Sequence, residues 1–127
     1  MSNYQGVIIE ESLADKNLVQ DFKILFTKVS LVTDKHKTSW LKQWTLHTVE
    51  IPEDQASNVA QKLSQNLDYS HGSAWYADFK NDAHHYIIFQ NKVFLIDMWN
   101  QEQYNEAKRY GISLSIPDYQ VDFKAKV

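Results

Sequence analysis

The sequence predicts an α+β domain in which an antiparallel sheet carries two helices packed on one face. Three observations lead to this class. Strand-like segments occur in two groups of three, two segments have helical spacing with capping residues, and most connections between them are short. A chain of 127 residues with 4 Trp, 7 Tyr and 6 Phe has enough apolar mass for one core, so we expect a single domain over residues 1–127.

The first group of strands occupies the N-terminal part of the chain. Residues 4–11 are a β-branched run, residues 22–32 alternate imperfectly, and residues 43–51 alternate between two faces. Residues 33–42 are polar and rich in lysine, which is typical of a loop. The three strands are therefore expected before the first helix.

Two helices follow from spacing and capping signals. Pro52 is expected to open the first helix at its first position. The apolar positions at helical spacing are Ala56, Val59, Ala60, Leu63 and Leu67. Asn100 can cap the second helix, with Gln103 three residues later, and Gly111 is expected just after its end.

A β-meander is predicted between the helices, over residues 74–80, 84–90 and 93–97. The C-terminal tail, which begins at Ile112, alternates again, which suggests a last strand or an edge segment; the alternating positions are Tyr119, Val121, Phe123 and Ala125. From Gln43 onward this order is compatible with a ferredoxin-like (split βαβ) core, to which extra N-terminal strands are added.

Composition excludes several classes of function. The chain has no cysteine, so disulfide frameworks and thiolate chemistry are absent. Its net charge is −3, Arg109 is its one arginine, and its 3 glycines form no phosphate-binding loop. No apolar run approaches membrane-spanning length and the N-terminus lacks signal-peptide features, so we expect a cytoplasmic protein with no membrane partner and no cofactor.

The candidate site is the sheet face that the helices leave open. In the third strand Trp44, Leu46 and Thr48 are expected to face the helices, which turns the alternate residues outward. The outward set, which would be ligand-binding, is Thr45, His47, Tyr76, Asp78, His84 and Tyr86. Aromatic and titratable side chains on an open face suit a small-molecule pocket or a protein interface.

An enzyme is the first alternative, with His47 as general base and Asp78 as the group that orients it. The other sequence signals for chemistry are weak. His84 and His85 are adjacent on a strand and point to opposite faces, so no metal site is expected. Glu10 and Glu11 diverge for the same reason.

Weak nucleic-acid binding through the loop at residues 35–42 is the second alternative. Lys35, His36, Lys37 and Trp40 combine positive charge with an aromatic ring, as single-strand binders do. The acidic balance of the whole chain argues against this partner. The same residues could instead form a lid over the open face.

Four stretches of the chain resemble a family of small single-domain bacterial proteins of unknown function. These stretches are residues 6–13, 44–52, 75–81 and 85–89, and the resemblance covers roughly residues 4–123. It implies a free-standing domain but no activity and no site residues. The function favoured by the sequence is therefore a non-enzymatic domain that binds a small ligand or protein on its open face and self-associates as a homodimer.

Overall fold

The computed structural model describes residues 3–31, 41–70 and 74–125. Its strands are β1 (Tyr4–Ile9), β2 (Lys23–Leu31), β3 (Gln43–Ile51), β4 (Ala77–Lys80), β5 (His84–Phe89) and β6 (Lys92–Asp97). Its helices are α1 (Ala56–Asn66) and α2 (Gln101–Ser113), with short 3-10 turns at Glu10–Ser12, Lys16–Asp21, Glu53–Gln55 and Asp118–Gln120. Among these helices none is long and apolar enough to cross a membrane.

The six strands form one antiparallel sheet in the order β2-β3-β1-β4-β5-β6. The α+β class and the antiparallel sheet are thus confirmed. Strand β1 lies between β3 and β4 and is antiparallel to both, so β3 and β4 run parallel and α1 connects them. This is a split βαβ unit whose central strand comes from the N-terminus.

The two helices lie on opposite faces of the sheet, so the expectation of one face is wrong. Ala60 and Leu63 of α1 share a core cluster with Tyr86 and Ile88 of β5. A second cluster joins α2 to the alternate residues of β5; its members include Ile87, Phe89, Tyr104 and Ala107. Strand β5 is apolar on both faces, and each face needs cover.

The faces of β3 are the reverse of those expected. Val49 is fully buried on the α1 side, where it pairs with Gly6, whereas Trp44 and Leu46 lie on the other side. A change of one residue in the facing of a strand inverts every side chain on it. The pairing with β1 decides this facing, and β1 is distant in the chain.

Helix boundaries also differ in part. Pro52 caps the 3-10 turn before α1 rather than opening α1 itself. The side chain of Asn100 accepts the backbone N–H of Gln103, which confirms the predicted cap of α2. Gly111 lies inside α2 and not after its end. A Cβ there would be 2.9 Å from Cγ1 of Val121, so the glycine leaves room for the tail.

The tail packs on α2 and β5 instead of adding a strand. Residues 118–120 form a 3-10 turn and residues 121–125 pair with no strand. Val121 and Ile116 are buried in the α2 cluster. The predicted last strand is therefore wrong, and with no strand after α2 the second half of a ferredoxin-like core is not formed within the described residues.

Strand β1 approaches β4 very closely at Gly6. A Cβ on Gly6 would lie 2.1 Å from the carbonyl oxygen of Asp78 and 2.7 Å from Cα of Phe79. Both distances are shorter than a van der Waals contact. Both atoms belong to the backbone of β4, so relieving the clash would require the strand itself to move. Only glycine therefore permits this central pairing.

We predict that Gly6→Ala lowers the free energy of unfolding by about 3 kcal/mol or more, because the methyl group has no space. Gly111→Ala is the matched comparison. In Gly111→Ala the new methyl group meets the side chain of Val121, which can move. Replacing a glycine inside a helix by alanine also stabilises the helix by about 1 kcal/mol. We therefore expect a smaller decrease in the free energy of unfolding for Gly111→Ala. Urea denaturation of both variants measures this; equal stability of Gly6→Ala and the native chain would contradict the close approach.

Candidate functional site

The described residues cover the sheet face opposite α1 only in part. Helix α2 and the tail cover β5 and β6, while the surface over β3, β1 and β4 carries a cleft of about 500 Å³. Val7, Ile9 and Leu46 form its apolar floor, and the aromatic residues around it are Trp44, Trp75, Tyr76 and Tyr119. Small-molecule pockets typically measure about 300–1,000 Å³, so the cleft has the size for one ligand.

The aromatic side of the cleft is held by ring packing and by one hydrogen bond. The rings of Trp44 and Trp75 lie 5.2 Å apart. Tyr76 donates its hydroxyl to the carbonyl of Gln120 at 2.6 Å and packs edge-on against Phe123. Tyr76 thereby ties the tail to the sheet at the rim of the cleft.

Burial raises the pKa of Tyr76 far above its usual 10.0, and the charge of Asp78 raises it further. The phenol therefore stays neutral over the whole physiological range. Its one proton is donated to the carbonyl of Gln120, so the side chain lines the cleft without bringing a charge.

Asp78 is the carboxylate that lines the cleft, and a network of two hydrogen bonds holds its side chain in place. Its Oδ2 lies 2.7 Å from Nε2 of His85, and Nδ1 of His85 lies 2.9 Å from the hydroxyl of Tyr104. His85 is 7% exposed and Tyr104 2%, whereas the Asp78 side chain is 37% exposed and reaches the cleft. Two buried groups thus orient one accessible carboxylate.

The geometry of this network determines which of its atoms carry protons. A carboxylate only accepts, so Nε2 of His85 carries a proton, and in the neutral ring Nδ1 accepts from the hydroxyl of Tyr104. Burial, followed by the charges of Asp78 and Asp97, raises the pKa of Tyr104, so the phenol keeps its proton. Because both nitrogens of His85 are engaged, the imidazole positions Asp78 and offers no free base to the cleft.

His47 lies on the α1 face of the sheet and not beside Asp78, so the predicted pair of His47 and Asp78 is not formed. Its Nδ1 is 2.8 Å from Oγ1 of Thr27, and its Nε2 is 3.1 Å from Oε1 of Glu10. In the register of the sheet His47 is opposite Ile8, whereas Asp78 is opposite Val7. Adjacent residues of β1 point to opposite faces, and the two side chains do the same.

Glu10 and Glu11 lie in the 3-10 turn after β1, so they do not alternate across a strand as expected, and both bind residues on the same face of β3. Glu11 accepts the backbone N–H of Thr45 at 2.6 Å and its hydroxyl at 2.7 Å, while Glu10 reaches His47. These bonds close the end of β1 after the strand has curled into its 3-10 turn. Thr45 and His47 therefore serve the junction of β1 and β3 and do not line the cleft.

His84 and Tyr86 also lie on the α1 side. Tyr86 is opposite Phe79 in the register and stacks on it with ring centroids 5.0 Å apart. The expected set of six thus separates, with Tyr76 and Asp78 at the cleft and the other four on the opposite face. Sequence reasoning missed the apolar floor and His85. The short turn after Lys80 was the available signal, because it places His85 opposite Lys80 and near Asp78 on one face.

Among the described residues, no group of three histidine, aspartate or glutamate side chains could hold a metal ion. Lys35, His36, Lys37 and Trp40 lie outside the described residues. The lid and the nucleic-acid contact assigned to them therefore stay predictions.

Comparison of the chain with known protein families, curated proteins and solved structures finds no match. The resemblance to a family of small bacterial proteins stays a prediction.

We predict that the free energy of unfolding falls as pH rises above 10, and that Tyr76→Phe makes this fall less steep. The pKa of Tyr76 is raised in the folded state. The native protein therefore keeps a proton that the unfolded chain has lost, and this stabilising contribution is complete below pH 10 and lost as pH rises toward the folded pKa. Urea denaturation between pH 8 and pH 12 measures the slope.

Tyr119→Phe makes the same chemical change at an exposed rim position and is the control. At pH 7 Tyr76→Phe should cost about 1 kcal/mol through the lost bond to Gln120. An alkaline slope identical in the native chain and Tyr76→Phe would contradict the burial argument.

Proposed function

We propose that this protein binds a small organic molecule in the cleft over β3, β1 and β4. One observation carries the proposal: a cleft of about 500 Å³ combines an apolar floor and aromatic sides with a single oriented carboxylate. Binding sites typically have this composition, in which apolar walls supply affinity and a few placed polar groups supply orientation.

The floor of the cleft supports this proposal because it lies on central strands. Val7 is on β1, between β3 and β4, and remains 40% exposed. Apolar side chains at the centre of a sheet are usually covered, and an open apolar patch rimmed by polar groups marks a contact surface. Strands also hold such side chains in place, so little order has to be created on binding.

Self-association through β2 is a second proposal. Within the described part of the chain β2 pairs with β3 on one side only, and its apolar side chains are exposed on both faces. Phe26 is 61% exposed on the cleft face, while Val29 and Leu31 are exposed on the other face.

A second copy of this chain is the partner that fits this edge. An edge strand with apolar groups on both faces needs a partner strand of the same kind, and β2 of a second copy has the same nine residues. Two antiparallel β2 strands would satisfy each other's outward backbone groups. We also propose a cytoplasmic location, which the absence of cysteine from the sequence favours.

Binding in the cleft predicts that the neutral dye prodan associates with the native chain and accepts fluorescence energy from Trp44 and Trp75. Leu46→Gln should raise the dissociation constant about tenfold, since replacing a buried leucine contact by a polar group costs about 1.5 kcal/mol. Leu95→Gln is the matched control on exposed β6 and should leave the constant unchanged. Equal weakening of dye binding by Leu46→Gln and Leu95→Gln would remove the proposal.

Pairing through β2 predicts that the native chain sediments as a dimer at about 0.1 mM, within the micromolar-to-millimolar range typical of weak interfaces. Phe26→Lys places a charge in the paired edge and should give a monomer. Leu95→Lys makes the equivalent change on the other edge strand and should leave the dimer intact. A monomeric native chain in analytical ultracentrifugation would exclude this interface.

A further inference from the structure

We infer that the ligand of the cleft is an organic cation, an amine or quaternary ammonium with an aromatic or branched alkyl body, and that Asp78 is its counter-ion. This inference rests on the proposed function and names the chemical class that the same site selects.

The charge of the cleft is the first argument. Of the lining residues that the structure describes, Asp78 carries a full charge, and Tyr76 remains a neutral phenol. The hydrogen bond that the Asp78 carboxylate accepts within the described chain comes from Nε2 of His85, on the side away from the cleft. Lys80 and Lys28 share this sheet face but do not line the cleft. The cleft therefore presents net negative charge to a ligand.

The energetic cost of covering Asp78 is the second argument. A neutral apolar ligand would remove water from the carboxylate without replacing it, which costs several kcal/mol for a charged group. An anionic ligand would add repulsion to that cost. A cation instead replaces the lost hydration by direct attraction, so of these three classes it is the one whose binding the carboxylate favours.

The aromatic sides are the third argument. The cleft that Asp78 lines is also lined by Trp44, Trp75 and Tyr119. The faces of aromatic rings attract cations electrostatically, and tryptophan attracts them most strongly. Ammonium recognition combines such rings with a carboxylate, whereas an apolar ligand alone would need no charge at this place.

His85 and Tyr104 are positioning residues in this arrangement. The bond from Nε2 of His85 holds Oδ2, and the hydroxyl of Tyr104 holds the imidazole. The rotamer of Asp78 is therefore set before a ligand arrives, and the carboxylate pays little entropy on binding.

The test compares two probes of the same shape, phenyltrimethylammonium and its neutral isostere tert-butylbenzene, by calorimetry and tryptophan fluorescence. We expect the cation to bind the native chain about tenfold more tightly than the neutral probe. Asp78→Asn should abolish this preference without weakening the neutral probe. Asp54→Asn removes the same charge from an exposed site at the start of the α1 region and should leave the preference intact.

Salt dependence in the native chain is an independent measurement that requires no variant, so the test survives if Asp78→Asn does not fold. Raising NaCl from 20 mM to 500 mM should weaken the binding of the cation and leave the binding of the neutral probe unchanged. Equal binding of both probes, or binding of the cation that neither salt nor Asp78→Asn weakens, overturns the cation class while the proposed cleft function stands. Binding of neither probe overturns both.

Discussion

The close approach of β1 to β4 at Gly6 is the constraint on which the rest of the structure depends. Gly6 is opposite Val49 on one side and Phe79 on the other, so it sets the register of three strands at once. That register turns Val49 and Phe79 toward α1. It turns Val7, Leu46 and Asp78 to the opposite face, where they form the cleft. A residue without a side chain thus decides which side chains can meet a ligand.

Strand β5 explains why the cleft stays open. Since both of its faces are apolar, α1 covers one and α2 with the tail covers the other. Helix α2 and the tail cover β5 and β6, and among the described residues those that rise beside the face over β1 and β3 are Tyr119 and Gln120 at the rim. Coverage of one strand therefore leaves an uncovered area on its neighbours. Gly111 is part of this division, because it lets Val121 of the tail lie against α2.

Local features of the fold could be predicted from the sequence, and long-range ones could not. The range 43–51 of β3 and the Asn100 cap depend on neighbouring residues, and both are confirmed. The facing of β3 depends on β1, which lies more than 30 residues earlier, and alternation alone cannot choose between the two faces. The position of Gly111 inside α2 has a related cause. A glycine is required there because Val121 of the tail packs against it, and not because the helix ends.

The candidate site shows the same division. Tyr76 and Asp78 meet at the cleft because they lie on one segment, whose alternation depends on neighbouring residues, and their role in ligand binding stays a prediction. His47 was joined to Asp78 across two strands whose facing was unknown, whereas His85 reaches Asp78 through one short turn. A histidine with both ring nitrogens bonded and little exposure is a support, and the acidic group that it supports is the one open to solvent. The chemistry of the cleft therefore follows from the carboxylate, which attracts positive charge, rather than from the imidazole, which would have indicated a base.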